Sequence, residues 1–458
     1  MIALAIGVVA FAFVNVALSL KDQGFGSLAI YVVIYAVISV IVHLVVRRWA
    51  PYADPLLVPL ALLLNGLGLA MLYRLIQAGR NGNPGPTYTN HGVSHIGPIG
   101  TLTSSDMSKQ FLFTLVGIAC LTVFLIYVKE PRMMQRYTYL FGLIGVILFA
   151  LPTVWPGSEV QGAKIQITIP GLGSIQPAEF GKLFLALSFA GYLVAKRDVL
   201  SLAGKRVLGI DLPRGRDLGP IMAMWVLTML LLVFESDIGT SAVFMGLFVS
   251  MIYIATGRNS WLLIGVGMFL IGGISAALLI PHVGVRFSIW LNTFTPYNVD
   301  HNAYQLAQGL YGMGAGGVLG KGFGGGQPWW TPLVQSDFVI TGFGEELGLV
   351  GVMAILLIYG LIVQRGLRTA LMVKDPFSKL LAGGLSFMLA LQVFVIVGGS
   401  TRLIPETGIT TPFLAQGGAS LIGSWIMIAI LVRLSDTARR PAPKPIQDEG
   451  LTQVVSLK

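Results

Sequence analysis

Long apolar runs recur along most of the chain, separated by polar stretches that hold most of its charges. A helix that crosses the hydrocarbon core of a bilayer needs about 20 mostly apolar residues. On that measure the pattern predicts spans at 1–20, 27–46, 55–77, 110–128, 138–155, 180–198, 219–235, 239–256, 261–281, 345–367, 380–400 and 413–434. The expected fold class is all-α, a polytopic integral membrane bundle of about twelve transmembrane helices. The run 219–235 fits least well, because it begins near Pro220. Met1–Leu20 lacks the basic lead of a cleaved signal peptide and is expected to be the first helix.

Two polar or irregular segments fall on one side of this pattern. Residues 78–109 are rich in Gly, Asn, Thr and Ser and read as an irregular loop. Residues 282–344 are far longer than a connection requires, and loops of that length usually carry function. Trp290, Phe294, Tyr304, Tyr311, Trp329, Trp330 and Phe338 make this second segment too aromatic for a disordered one. The organisation expected is a two-helix extension at 1–54, a membrane core at 55–434 with its large loop at 282–344 before the last three helices, and a tail at 435–458. Pro441, Pro443 and Pro445 among charges predict a disordered tail.

Composition agrees with a membrane protein. Of the 458 residues 55% are hydrophobic and only 11% charged, against about 25% charged in a soluble domain. A net charge of +10 could suggest nucleic acid, but the basic residues lie in short loops between apolar runs. With both termini in the cytoplasm, 21 of the 30 lysines and arginines fall on the inside, as the positive-inside rule requires. Cys120, the sole cysteine, sits within an apolar run and reads as a small buried residue.

Candidate chemistry concentrates on the outer side. Residues 309–326 hold ten glycines in eighteen positions, and Gly312, Gly314 and Gly317 fit a G-x-G-x-x-G spacing. No strand precedes them, Ala315 and Gly322 break a phosphate-loop pattern, and tight turns or small-residue helix packing fit better. Asp337 lies just before the span 345–367, where a carboxylate can act as a general base or simply cap a helix. Glu345 and Glu346 open that span, in a place that also suits plain first-turn charge. Glu179 and Lys182 stand three residues apart on one helix face, as a structural ion pair or as groups lining a cavity. Glu235 and Asp237 occupy a short turn between spans, where they could orient helices or line a cavity. Arg402 sits in a short outer loop near Pro405 and Pro412, as a diphosphate fork or a headgroup anchor.

These residues fall into patches that resemble a known family. They are Gly162–Ala163–Lys164, Ser174–Ile175–Gln176–Pro177–Ala178–Glu179 with Lys182, and Phe234–Glu235–Ser236–Asp237–Ile238–Gly239–Thr240. Tyr304–Gln305, the Gly-rich run through Gly322, Ser336–Asp337–Phe338 and Gly344–Glu345–Glu346–Leu347–Gly348 follow. Arg402–Leu403 through Pro405, Thr407–Gly408, Pro412–Phe413 and Gly417–Gly418 complete the set. In this order they resemble the SEDS family (shape, elongation, division and sporulation), RodA- and FtsW-like, and most of all its RodA-type members from actinobacteria. Ser336 replaces a usual Thr, Ala415 replaces a frequent Ser, and the spans 1–20 and 27–46 exceed the family's ten-helix core.

The resemblance implies a peptidoglycan glycosyltransferase that polymerises lipid II on the outer membrane face for cell elongation and shape. It also implies a class B penicillin-binding protein as transpeptidase partner, and Asp337 as the family's essential aspartate. On that footing Asp337 is the base of an inverting displacement. Lys182, Arg402 and Glu346 would bind substrate, with Glu179 holding Lys182 charged and oriented. Gln176, Pro177, Glu235 and Asp237 would shape the cavity. A divalent cation, Mg or Mn, is a further candidate for the leaving diphosphate. A lipid II flippase and a non-catalytic scaffold for cell-wall synthesis stand as alternatives. The outward position of Asp337 favours the enzyme.

Overall fold

The computed structural model describes residues 1–19, 25–80, 87–90, 93–96, 102–155, 159–160, 163–164, 166–169, 173–196, 205–207, 210–212, 223, 225–227, 229–230 and 237–441. Its helices of five or more residues are α1 (Ile2–Ser19), α2 (Phe25–Trp49), α3 (Leu57–Arg80), α4 (Ser104–Tyr127), α5 (Thr138–Val154), α6 (Ala178–Ala195) and α7 (Ile238–Thr256). They continue with α8 (Ser260–Leu279), α9 (Pro281–Leu291), α10 (Pro296–Asp300), α11 (Tyr304–Gly316), α12 (Val339–Met372), α13 (Pro376–Ser400) and α14 (Gly418–Arg439). Among the described residues, ten of these are long and apolar enough to cross a membrane: α1–α4, α6–α8 and α12–α14. The expected span 138–155 is the shorter apolar helix α5. The span 219–235 falls mostly outside the described residues.

α7 and α13 begin where a short polar side chain replaces a missing backbone partner. Asp237 accepts from the Thr240 amide at 2.9 Å to open α7, and Asp375 accepts from the Ser378 amide at 3.0 Å to open α13. Among the described residues, four antiparallel two-strand pairings also form, one of them joining Thr87–Asn90 to Val93–Ile96. Within the expected irregular loop 78–109, the described residues show α3 running on to Arg80, these two paired strands and α4 starting at Ser104.

α3, α6, α13 and α14 are mostly buried, whereas only a third or less of α1, α2 and α8 is buried, as in helices with a lipid-facing side. Glycines allow the closest approaches. A Cβ on Gly181 of α6 would lie 2.9 Å from the Phe149 ring and 3.3 Å from the Gly145 carbonyl of α5. The N-terminal helices are packed onto the core. Val9, Phe13 and Val16 of α1 are fully buried, and Tyr35 of α2 donates to the Leu62 carbonyl at 2.7 Å. The expected boundary at 434 moves, because α14 runs on to Arg439. Ser435 and Asp436 are buried, and Asp436 accepts from the Tyr52 amide at 2.9 Å. The tail beyond Pro441 lies outside the described residues.

The segment 282–344 is built rather than looped: α9, α10, α11 and a 3-10 turn at Pro328–Trp330 fill it, and α12 starts at Val339. α12 is broken at Gly348, whose φ of 67° and ψ of −171° are not helical. There Lys321 and Gly322 donate to the Glu345 and Glu346 carbonyls at 3.1 and 2.9 Å, and Leu349 and Val350 donate to the Gly317 and Val318 carbonyls at 3.0 and 3.1 Å. The Gly-rich run thus repairs the helix break. Its glycines are needed for contact, since a Cβ on Gly316 would lie 2.2 Å from the Gly344 carbonyl.

Candidate active site

α12 begins at Val339 and α13 returns antiparallel from Pro376, so residues 401–417 meet the start of α12 at one end of the bundle. The Gln416 amide donates to the Gln335 carbonyl at 2.7 Å and fixes that meeting. Asp337 is half-buried there. Burial pushes its carboxyl up to about 6, against the opposing pull of Arg286 and the Ser336 hydroxyl, while nearby Asp237 adds to the rise. Glu406 is pushed up to about 7 by burial, again opposed by Arg286 and reinforced by Asp337. Burial raises Asp237 as well, opposed chiefly by hydrogen bonds from Thr240 and then by Arg286. Three carboxyl groups on three separate elements therefore feel one guanidinium, from α9.

Lys182 lies one step deeper. Its Nζ is 2.7 Å from Glu179 Oε2 and donates to Gln392 Oε1 at 2.9 Å, with both ionic side chains buried. These three side chains line a narrow crevice with Thr240 and Ile409. Gln176 connects the two groups, donating to Asp237 Oδ2 at 3.5 Å, and Pro177 is buried at the start of α6. Lys182, Glu179, Gln176, Asp237 and Asp337 form one polar series between α6, α7 and α12. Glu235 lies outside the described residues.

Arg402 is placed elsewhere. Its guanidinium donates to the Trp290 and Leu291 carbonyls at 2.9 and 3.0 Å and lies 5.2 Å over the Phe294 ring. With Trp290, Phe294, Leu310 and Thr401 it lines a wide, open recess. Glu346 is also set apart. It is fully buried, accepts from Arg74 Nε at 2.9 Å and takes the Gly324 amide as a second donor. Arg74 in turn donates to the Gly326 carbonyl at 2.7 Å and lies 4.9 Å over the Trp329 ring. Glu345 holds the same loop, through Lys321 Nζ at 3.1 Å and the Gln327 amide at 2.8 Å. Both glutamates are thereby occupied in fastening the Gly-rich run to α12. Among the described residues, no group of three or more His, Cys, Asp or Glu side chains is arranged to hold a metal ion. Among the described residues, Arg286 is the cation whose charge opposes the rise of the Asp337 carboxyl.

A sequence profile of the cell cycle protein family of FtsW, RodA and SpoVE matches residues 89–440. The chain belongs to this family. Among its members, the peptidoglycan glycosyltransferase RodA of Mycobacterium tuberculosis (strain ATCC 25618 / H37Rv) is 44% identical over 437 residues, covering 95% of this chain and 89% of that protein. The peptidoglycan glycosyltransferase RodA of Mycobacterium leprae (strain TN) is 44% identical over 399 residues, 87% of this chain and 81% of that one. Two solved structures share the fold. A chain described under the structural coordination of polymerization and crosslinking by a peptidoglycan synthase complex superposes with a TM-score of 0.63 at 20% identity, covering 85% of this chain and 99% of its own. The Rod shape determining protein RodA of Thermus thermophilus gives 0.56 at 22% identity, covering 85% and 98%. This family member is a multi-pass membrane protein.

Sequence reasoning passed over Arg286, Glu406, Gln392 and Arg74. Arg74 and Gln392 carried a usable signal, since a charged or amide side chain inside an apolar span is costly and needs a partner. Arg286 and Glu406 carried only a weak one: Arg286 is an isolated charge in a mostly apolar stretch, and Glu406 lies in a short polar loop four residues after Arg402.

Proposed function

We propose that this chain is a peptidoglycan glycosyltransferase that polymerises lipid II on the outer face of the cytoplasmic membrane, with both termini inside. Its similarity to proteins named peptidoglycan glycosyltransferase RodA along nearly its whole length supports the activity. The observation that carries the site is Asp337: a half-buried carboxyl, raised to about 6, at the end of the bundle opposite the basic loops. A base near neutrality is charged at working pH yet still takes a proton readily.

In the reaction proposed, the 4-hydroxyl of the acceptor's GlcNAc attacks the anomeric carbon of the donor's MurNAc. Its proton passes to an Asp337 carboxylate oxygen as the new C–O bond forms. The bond to the prenyl diphosphate breaks on the opposite face, and the configuration inverts. The departing diphosphate is stabilised by cations. Lys182, kept charged and aimed by Glu179 and Gln392, is the buried candidate. Arg402, at its open aromatic-lined recess, suits a headgroup at the membrane surface. The polar series through Gln176 and Asp237 would keep a hydrated cavity between them. Glu346 contributes by holding the Gly-rich run rather than by touching sugar. A single-span cell-wall transpeptidase is the partner that fits a polymerase of this family.

The test is glycan synthesis from purified lipid II by the purified chain, alone and with a transpeptidase inactive in cross-linking. Wild type should make polymer, and Asp337→Asn should insert and bind lipid II while making almost none. Translocation of lipid II in proteoliposomes without polymer from wild type would replace this reading with a transporter.

A further inference from the structure

The opposite end of the bundle, where the basic loops lie, holds a charge cluster that the candidate active site does not use. Asp54, in the turn between α2 and α3, and Asp436, in the last turn of α14, both have fully buried side chains. Asp54 pairs with Arg439 and lies 3.9 Å from Arg365 Nη1 of α12. Asp436 lies 3.3 Å from Arg433 Nη1 and 2.8 Å from Arg440 Nη2. Backbone donors hold the two carboxylates in register: the Asp54 amide donates to the Ser435 hydroxyl at 3.0 Å, and the Tyr52 amide to Asp436 Oδ1 at 2.9 Å. Buried Arg433 also donates to the Trp49 carbonyl at 2.9 Å and to the Leu125 carbonyl. The ends of α2, α4, α12 and α14 therefore meet at this cluster.

Its charges do not cancel. Among the described residues, four guanidiniums share two carboxylates, and positive charge in a partly buried site is costly unless an anion meets it. Two donors are left over as well, since Nε of Arg365 and Nε of Arg433 are buried without a hydrogen-bond partner among the described residues. Three of the arginines can reach a ligand: the side chains of Arg365, Arg439 and Arg440 are 24%, 25% and 48% exposed. Trp49 and Tyr52 at the end of α2 are exposed, as are Leu367 and Leu371 on the last turns of α12. Aromatic rings at helix ends mark the headgroup level of a bilayer, and exposed leucines on the adjoining turns suit acyl chains.

We propose that Arg365, Arg439 and Arg440 form a binding site for the phosphate of an anionic phospholipid, with Asp54 and Asp436 holding the guanidiniums in place. A guanidinium forks onto phosphate oxygens, and basic pockets between helix ends bind such headgroups. The apolar side chains that continue the site toward the bilayer select a phospholipid over free phosphate. Bound there, the lipid answers the surplus charge and fastens the ends of α12 and α14 to the turn after α2.

The test is thermal unfolding of the purified, delipidated chain in a nonionic detergent, followed by tryptophan fluorescence. Dioleoyl phosphatidylglycerol near saturation should raise the melting temperature by about 5 °C. Dioleoyl phosphatidylcholine and inorganic phosphate at the same concentration should leave it unchanged. Arg365→Gln and Arg440→Gln each leave the neighbouring aspartate a second arginine, and each should lose most of the shift. Lys379→Gln removes an exposed charge at the same end outside the cluster and should keep the shift. A merely structural role for the arginines would lower the starting melting temperature but preserve the shift, and that result overturns the proposal. An equal shift from phosphatidylcholine or from inorganic phosphate also overturns it, as does an equal loss in Lys379→Gln. Should Arg365→Gln not be recovered folded, Arg440→Gln decides alone, because Arg440 is the most exposed of the three.

Discussion

Glu346 was expected to meet substrate, and its surroundings make a different role measurable. Its side chain and that of Arg74 are both fully buried and paired at 2.9 Å, across 272 residues of sequence. Glu346→Gln removes the charge that answers Arg74, leaving a guanidinium buried with only the Gly326 carbonyl and the Trp329 face. The Gly324 amide also loses a charged acceptor. Breaking a buried ion pair from one side costs on the order of 3–5 kcal/mol. At about 2 °C per kcal/mol for a chain of this size, the melting temperature in detergent should fall by roughly 5–10 °C. The double substitution Arg74→Met with Glu346→Leu removes both charges and should recover most of that loss. The assay is thermal unfolding followed by tryptophan fluorescence, with polymerisation measured well below the transition. If Glu346→Gln melts like wild type but loses lipid II binding, the structural account is wrong and the glutamate contacts substrate.

Other outcomes follow from the same geometry. Asp337→Asn should lower polymerisation by about 10²–10⁴-fold, the usual range for a lost general base. Because the carboxyl must be ionised to accept a proton, the wild-type rate should hold above neutrality and fall to half its plateau near pH 6 as pH decreases. Lys182→Ala should impair polymerisation more than Lys182→Arg, since the latter keeps a charge for Glu179 at 2.7 Å; equal rates for Lys182→Ala and wild type would count against the diphosphate role. Gly348→Ala should cost about 1–3 kcal/mol, because φ is 67° and the new Cβ would lie 2.3 Å from the Gly320 amide nitrogen. Unchanged thermal stability of that variant would refute the view that the helix break is held by close backbone contact.

The sequence by itself determined the class of fold, for a reason local to each segment. Inside a bilayer every backbone group must be satisfied within its own helix, so a run such as Leu57–Arg80 or Pro376–Ser400 declares itself by length and apolar content. Lysine and arginine placement predicts which ends share a side, whereas the Asp caps of α7 and α13 emerged only with the structure. Glu179 and Lys182 were legible together, because three residues of helix bring them onto one face. Family patches drew attention to Asp337 but not to what surrounds it. Arg286, Asp237, Glu406 and Asp337 come from four separate stretches of chain, and only the packing of α7, α9, α12 and the 401–417 loop assembles them. The same holds for Glu346, which sequence placed at the membrane surface and packing gave to Arg74. It also holds for the break at Gly348, whose carbonyl partners lie in a glycine run about 30 residues earlier. Helices form from neighbours in sequence. Charges inside a membrane are decided by neighbours in space, because there each must find its partner across the bundle or remain unpaid in a medium that cannot solvate it.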